Sequence, residues 1–150
     1  MRLNALEELI QYVKTKDRAY MCLETLNSLE RSTFKRKKKD FPKELDKDLR
    51  FFLNNRVKNR DDIEKSKKAL KEAKTLTLRV AFEPEENFVE KLYKWFRGRG
   101  LRGFLIEFVR DEGVSGGCEL TYEGVFVDLT LKAKIKEFLK DKEYVSTQVL

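Results

Sequence analysis

The sequence predicts an α+β fold, in which an N-terminal helical bundle precedes a small mixed-sheet domain with the element order βαβββα. Apolar residues recur at helical spacing through residue 75, and at Leu76 the period changes to that of a strand. A strand, a helix and a second strand then follow within about thirty residues, which is the pattern of a βαβ unit. We therefore expect a helical lobe over residues 1–75 and an α+β domain over residues 76–150.

Four stripes of apolar residues predict the helices of the first half. They lie at Leu3–Val13, Ala19–Leu29, Leu45–Val57 and Asp62–Lys74. A charged break at Lys14–Arg18 separates the first two helices, and Asn59 or Asp61 can cap the fourth. Because the fourth stripe has few large apolar residues, we expect that helix to pack weakly, as a connector or a partner-facing helix.

The second half alternates between strand and helix patterns. The segments are a strand at Leu76–Phe82, a helix from Pro84 to Gly98, a strand at Phe104–Val109, a strand pair at Cys118–Tyr122 and Val125–Asp128, and a helix with its stripe at Leu131–Leu139. Phe104–Val109 is apolar on nearly both faces, which predicts a central strand. Glu123-Gly124 predicts the turn of a hairpin. We expect the ten residues after Lys140 to form a loose tail.

Composition argues against several classes of site. The chain contains no His, and its two cysteines, Cys22 and Cys118, lack the spacing of a metal site. No identifiable motif supplies a nucleophile or paired carboxylates, so we expect neither catalysis nor a cofactor. No apolar run approaches the length of a membrane span, and Met1 begins no signal peptide, which predicts a cytoplasmic protein without direct membrane insertion.

The net charge of +7 is distributed unevenly along the chain. Residues 1–75 carry a net charge of +8, whereas residues 76–150 carry −1. Much of the excess lies in one basic run, whose cations are candidates for partner binding: Arg31, Lys35, Arg36, Lys37, Lys38 and Lys39. Two interpretations of the run Arg31–Lys39 stay open, a contact with nucleic acid or acidic lipid, and a solvated loop or helix end between two helices.

Gly116-Gly117 follows a predicted strand and fits either a phosphate-binding loop or a tight turn. A phosphate-binding loop needs a helix immediately after its glycines, whereas Cys118–Tyr122 alternates as a strand. The pair therefore predicts a turn that leads the chain from one strand into a neighbouring strand. Beyond the last strand, Asp128 is placed to cap the final helix, and the Thr130 hydroxyl to support the same turn.

Residues 70–140 resemble the C-terminal domain of the delta subunit of F-type ATP synthase, the family of the mitochondrial subunit that confers oligomycin sensitivity. Ala73-Lys74-Thr75-Leu76 is similar to the entry from a helix into that family's first strand. The family then has a Gly-Gly pair, a strand pair and Asp-x-Ser/Thr before its last helix. The corresponding positions form one structural motif in this chain: Gly116, Gly117, Gly124, Asp128 and Thr130. The first half contains no motif that matches the longer N-terminal bundle of the family.

The resemblance implies a non-catalytic stator component of a rotary ATP synthase, which links the catalytic head to the peripheral stalk during proton-driven ATP synthesis. Head subunits would contact the N-terminal lobe, and stalk helices the C-terminal domain, on the inner face of the cell membrane. Two alternatives remain. One is a basic nucleic-acid-binding protein that uses residues 31–60, and the other is a protein similar to the E-type peripheral-stalk protein of archaeal or vacuolar-type ATPases. That stalk protein begins with a long uninterrupted helix, against which Pro42 argues.

Overall fold

The computed structural model describes the backbone of residues 5–33 and 41–147 of the chain, and the side chains of residues 7–32 and 41–140. It confirms the predicted α+β class. The helices are α1 (Ala5–Val13), α2 (Lys16–Thr33), α3 (Lys47–Arg56), α4 (Arg60–Glu72), α5 (Glu86–Gly98) and α6 (Leu131–Thr147). The strands are β1 (Lys74–Val80), β2 (Phe104–Arg110), β3 (Glu119–Tyr122) and β4 (Val125–Asp128). From β1 onward, the described elements follow the order βαβββα.

The chain folds as two compact units, each built from two stretches of sequence. The first unit contains the described residues of Met1–Thr75 together with Leu92–Ile106. The second contains Leu76–Lys91 together with the described residues of Glu107–Leu150. The chain changes unit after Thr75, as the change of period suggests, but it then returns to the first unit for one stretch that the sequence assigned to the second half.

The core of the first unit is formed by all four of its N-terminal helices. Its buried residues are Leu9, Ile10, Val13, Ala19, Cys22, Leu26, Leu29, Leu45, Leu49, Phe52, Leu53, Val57, Ile63, Leu70 and Leu105. Helix α4 packs against α1 and α2, and it buries Ile63, Ala69 and Leu70. The expectation that this helix packs weakly is therefore wrong, because small Ala69 allows close approach while the two larger residues supply apolar area.

Polar contacts define where the helices of the first unit begin and how they are joined. Asn59 caps α4 in a reciprocal capping box with Asp62. Glu30 on α2 pairs with both Lys67 and Arg60 on α4. Lys14, with a φ of 62°, separates α1 from α2, so the break is shorter than the predicted charged segment. The ion pairs of Glu30 therefore add to the apolar packing that holds α2 against α4.

The sheet is mixed and has the strand order β2-β1-β3-β4. Strand β3 pairs antiparallel with both β1 and β4, in a register that places Leu78 opposite Leu120 and Leu120 opposite Val127. After β2 the chain therefore passes the end of β1 before it enters β3, and at that point the Asp111 N–H donates to the Val80 carbonyl over 2.8 Å. The expectation that the glycine turn joins two neighbouring strands is wrong for this reason.

Strand β2 lies at one end of the strand order, which corrects its predicted central position. Its first half is nevertheless buried, with Phe104, Leu105 and Ile106 almost inaccessible to solvent. The Ile106 N–H donates to the Lys14 carbonyl over 2.8 Å, and Thr15 forms an isolated parallel bridge with Ile106. An edge strand covered in this way has the same apolar pattern as a central strand, so the sequence could not distinguish the two.

Helix α5 buries part of the stripe that its apolar spacing predicts, which is Phe88/Val89, Leu92 and Trp95/Phe96. Val89, Tyr93 and Phe96 are buried, whereas Trp95 is exposed. The Tyr93 ring stacks on Phe104 with 4.8 Å between the ring centroids. Val89 and Phe96 are buried as the spacing predicts, whereas Tyr93 takes the place of half-buried Leu92 because its ring reaches β2.

Candidate partner-binding surface

The Gly116-Gly117 turn lies directly against the backbone that leads into α6. Both glycines have positive φ, +65° and +84°. A Cβ at Gly117 would lie 2.3 Å from the Leu129 carbonyl oxygen, and the Leu129 N–H donates to the Cys118 carbonyl over 2.9 Å. The second glycine is therefore required both for its backbone angle and for the close approach of Leu129.

The first turn of α6 uses its amide hydrogens within the chain. The Leu131 N–H donates to the carbonyls of Ser115 and Gly116, over 3.2 and 2.9 Å. The Ala133 N–H donates to the Thr130 hydroxyl over 3.2 Å. A phosphate bound at a helix N-terminus needs such amides free. The contacts therefore favour a structural turn over a phosphate-binding loop.

Thr130, not Asp128, is the residue that caps α6. Asp128 is the last residue of β4, and its carboxylate accepts the Thr130 N–H over 2.9 Å, while the buried Thr130 hydroxyl accepts from the first turn of the helix. Hydrogen bonds from the side chain and the backbone of Thr130 lower the pKa of Asp128. Thr130 is the cap because its side-chain oxygen, and not that of Asp128, accepts the hydrogen bond from Ala133.

Gly124 forms the β3–β4 turn with Glu123, as the sequence predicts. Both residues have positive φ, 47° at Glu123 and 80° at Gly124, and Tyr122 pairs with Val125 across a two-residue loop. Two positive φ angles in a two-residue loop are the mark of a type I′ hairpin turn. The turn orients β4 as the last strand of the sheet.

Helix α6 presents its apolar stripe to solvent. The stripe consists of Leu131, Ile135, Phe138 and Leu139, which are between 49% and 59% exposed. Ala133 is half-buried, and every other side chain among residues 131–140 is exposed. The helix extends to Thr147, so the expected loose tail after Lys140 is wrong for the backbone through that residue. The amphipathic spacing was visible in the sequence, but whether the chain itself covers the stripe was not.

Strand β4 adds a second exposed apolar stretch immediately before α6. Val125 is 62% exposed and Phe126 59%, and Val127 is also exposed. In the described part of the chain, β4 pairs only with β3 and ends the strand order. Natural proteins seldom leave large apolar side chains exposed on a sheet edge and on the helix that follows it. We call β4 and the α6 stripe together the exposed apolar surface of the second unit.

The basic residues predicted as partner-binding fall in two regions. Arg31 is exposed near the end of α2, whereas Lys35, Arg36, Lys37, Lys38 and Lys39 lie outside the described residues. A second basic segment, Arg97–Arg102, to which the sequence assigned no ligand, follows exposed Trp95. There the Arg99 guanidinium lies 4.0 Å from the centroid of the Trp95 ring, and Arg97 donates to Gln11 over 3.0 Å. Both arginines therefore have contacts within the chain.

Neither cysteine is placed to act as a ligand or a nucleophile. Burial raises the pKa of the Cys22 thiol to about 12, and partial burial also raises the pKa of Cys118. In the part of the chain that the structure describes, no group of three or more Cys, Asp or Glu side chains is arranged to hold a metal ion. Both thiols therefore remain protonated near neutral pH.

The comparisons with known proteins give no family assignment. None of the protein-family models matches the chain, and no curated protein matches it. Among residues 5–33 and 41–147, no helix combines the length and the apolar character that crossing a membrane requires. The geometry of the second unit, with an anchored α6 and an exposed apolar surface, is accordingly the observation on which a functional proposal can rest.

Proposed function

We propose that the chain is a non-catalytic stator component of a rotary ATP synthase, in which it links the static catalytic head to the peripheral stalk. One observation carries the proposal. The exposed apolar surface of the second unit lies within residues 70–140, the stretch that resembles the delta-subunit family. A stator component acts by binding partners, and an amphipathic helix whose apolar face stays exposed on its own chain is suited to that role.

The exposure of the α6 stripe also supports a binding role on energetic grounds. Most of the stability of a helix in a protein comes from tertiary packing of its apolar face. Here the Thr130 cap and the Ser115 and Gly116 carbonyls hold its first turn, but the side chains of its stripe remain about half exposed. A partner that covers Ile135 and its neighbours would therefore stabilise the helix at the same time as it binds.

The first unit provides the stiff half of such a linker. Its four N-terminal helices share one core, and α2 and α4 are joined by the ion pairs of Glu30. Tyr20 and Met21 on α2 and Phe51 on α3 are exposed, and Phe51 is 70% accessible. We assign the contact with the head subunits to this unit. The complex would place the protein in the cytoplasm, peripheral on the inner face of the cell membrane.

The nucleic-acid alternative receives less support from the described part of residues 31–60. Arg50 donates to the carbonyls of Pro42, Lys43 and Leu45. Arg56 pairs with Glu8 and Arg60 with Glu30. Each of these guanidinium groups therefore has an acceptor within the chain, while Arg56 and Arg60 stay more than half exposed.

Affinity purification tests the proposal. We would isolate the tagged full-length chain from solubilised membranes of its own cells and identify co-purifying proteins. We expect ATPase head and stalk subunits with the wild-type chain, and loss of the stalk subunits with Ile135→Asp. The exposed Lys94→Glu on α5 is the matched control and should retain both. Recovery of RNA or DNA with a steep salt dependence, and no ATPase subunits, would contradict the proposal.

A further inference from the structure

The lysines of α6 are placed on both sides of its apolar stripe. Residues 131–140 contain Lys132, Lys134, Lys136 and Lys140 but one acid, Glu137. At about 100° per residue, Lys132 and Lys134 fall on opposite flanks of the stripe, while Glu137 falls outside it. All three side chains are exposed. Along residues 131–140 each flank of the apolar stripe therefore carries a lysine, and the Asp128 carboxylate interacts with Lys132 and Lys136 at the start of the helix.

The stripe also has the spacing of a helix–helix seam. Leu131, Ile135 and Phe138 are separated by four and then three residues, which are the d, a and d positions of a heptad. In this register Lys132 occupies an e position and Lys134 a g position, where side chains meet charges of the partner helix. The a position holds Ile135, and the two d positions hold Leu131 and Phe138.

We propose that α6 binds one amphipathic helix of a partner protein, and that this helix carries Asp or Glu at the positions that face Lys132 and Lys134. The inference rests on the proposed function, because it names the chemistry of the stalk segment that the second unit would receive. A second copy of this chain fits less well, since pairing two α6 stripes would bring one lysine-flanked rim against another.

Two synthetic peptides test the charge rule. They share the same Ile and Leu residues at a and d and differ only at e and g, which are Glu in one peptide and Lys in the other. We would measure the affinity of each for the full-length chain by calorimetry or fluorescence anisotropy. We expect the Glu peptide to bind roughly tenfold more tightly at low salt, with a ratio that shrinks as salt is raised.

Variants of the chain show whether α6 is responsible. The double variant Lys132→Glu/Lys134→Glu should reverse the preference, and Ile135→Asp should abolish binding of both peptides. Lys94→Glu, an exposed charge change on α5, should alter neither affinity. A thermal melt of each variant establishes that it folds.

Several results would overturn the inference. These are no binding of the Glu peptide, equal affinity for the two peptides, or a preference that the double reversal leaves unchanged. A concentration-dependent dimer in sedimentation that Ile135→Asp abolishes would assign the stripe to a second copy instead. The proposed function fails separately, when the charge preference holds but no ATPase component co-purifies with the chain. The inference fails alone when those components co-purify but the preference is absent.

Discussion

Gly117 is subject to two constraints. Its φ is +84°, and a Cβ at this position would overlap the Leu129 carbonyl oxygen. Gly124 shares the first constraint, with a φ of +80°, but a Cβ there would meet no atom within 4 Å. The two glycines therefore separate the cost of a left-handed backbone from the cost of a steric overlap. Both lie in the second unit, which makes them a matched pair.

We expect Gly124→Ala to destabilise the chain by about 1–2 kcal/mol, which is the cost of a left-handed conformation for a residue with Cβ. Gly117→Ala should cost clearly more, because the backbone of Leu129 must also move. Urea denaturation of the two variants measures the difference. Equal costs would show that the close approach to Leu129 does not contribute. If Gly117→Ala instead melts normally but loses phosphate binding, the turn is a ligand-binding loop.

The ionisation of Asp128 affects the start of α6 through its hydrogen bonds with Thr130. The hydrogen bonds from Thr130 lower the pKa of Asp128 in the folded state. A carboxylate with a lowered folded pKa stabilises the fold above its unfolded pKa of about 3.9, and this contribution is lost as the pH falls through the folded value. The charged form of Asp128 thus stabilises the folded chain near neutral pH.

We expect Asp128→Asn to be less stable than the wild type near neutral pH, and the gap to close as the pH falls from about 5 to below the folded pKa. Chemical denaturation of both proteins between pH 7 and the lowest pH at which the wild type folds would measure this gap. Glu30 titrates in both proteins, so its contribution cancels in the comparison. A gap that is independent of pH would show that the carboxylate charge does not matter.

At the scale of elements, α6 differs from every other described helix, because no large side chain along residues 131–140 is buried. We expect Ile135→Asp to change the free energy of unfolding by no more than about 0.5 kcal/mol, as is usual for exposed positions. Leu78→Ala on β1, where the side chain is 3% exposed, should cost about 2–5 kcal/mol. Thermal melts compare the two. A large loss of stability in Ile135→Asp would mean that the stripe packs within the chain.

Local pattern predicted the elements well, but it did not predict their neighbours. The period change at Leu76, the Glu123-Gly124 hairpin and the order βαβββα are all present in the structure. The edge position of β2 was missed because Thr15 and the helices cover it, and burial on both faces produces the same sequence in edge and central strands. Likewise, the α6 stripe gives the correct helix, but no sequence pattern states which surface covers it.

The exact cap of α6 was missed for a different reason. Both Asp128 and Thr130 are good capping residues, and although the sequence predicts the end of β4 correctly at Asp128, it does not say at which residue α6 begins. In the structure α6 begins at Leu131, so its cap is Thr130. The glycine pair has the positive φ angles of the predicted turn, but the route of the chain past β1 depends on a strand order that no local signal encodes.

At the scale of the whole molecule, the helical half cannot be equated with residues 1–75. The first unit also contains Leu92–Ile106, and Leu105 is one of the buried residues of its helical core. The Ile106 N–H donates to the Lys14 carbonyl in the break between α1 and α2. A partner that binds the first unit therefore binds a surface whose stability depends on β2.

We expect a fragment of residues 1–75 to lack a cooperative thermal transition, because it exposes the part of the core that Leu105 covers and loses the hydrogen bond to Lys14. A fragment of residues 1–106 contains every segment of the first unit and should melt cooperatively. In the full-length chain, Leu105→Ala should cost about 2–5 kcal/mol by the same argument. Far-ultraviolet circular dichroism of the two fragments and denaturation of the variant provide the measurements. If residues 1–75 melt cooperatively near the temperature of the longer fragment, β2 is dispensable, and a head-binding assay can use the short fragment.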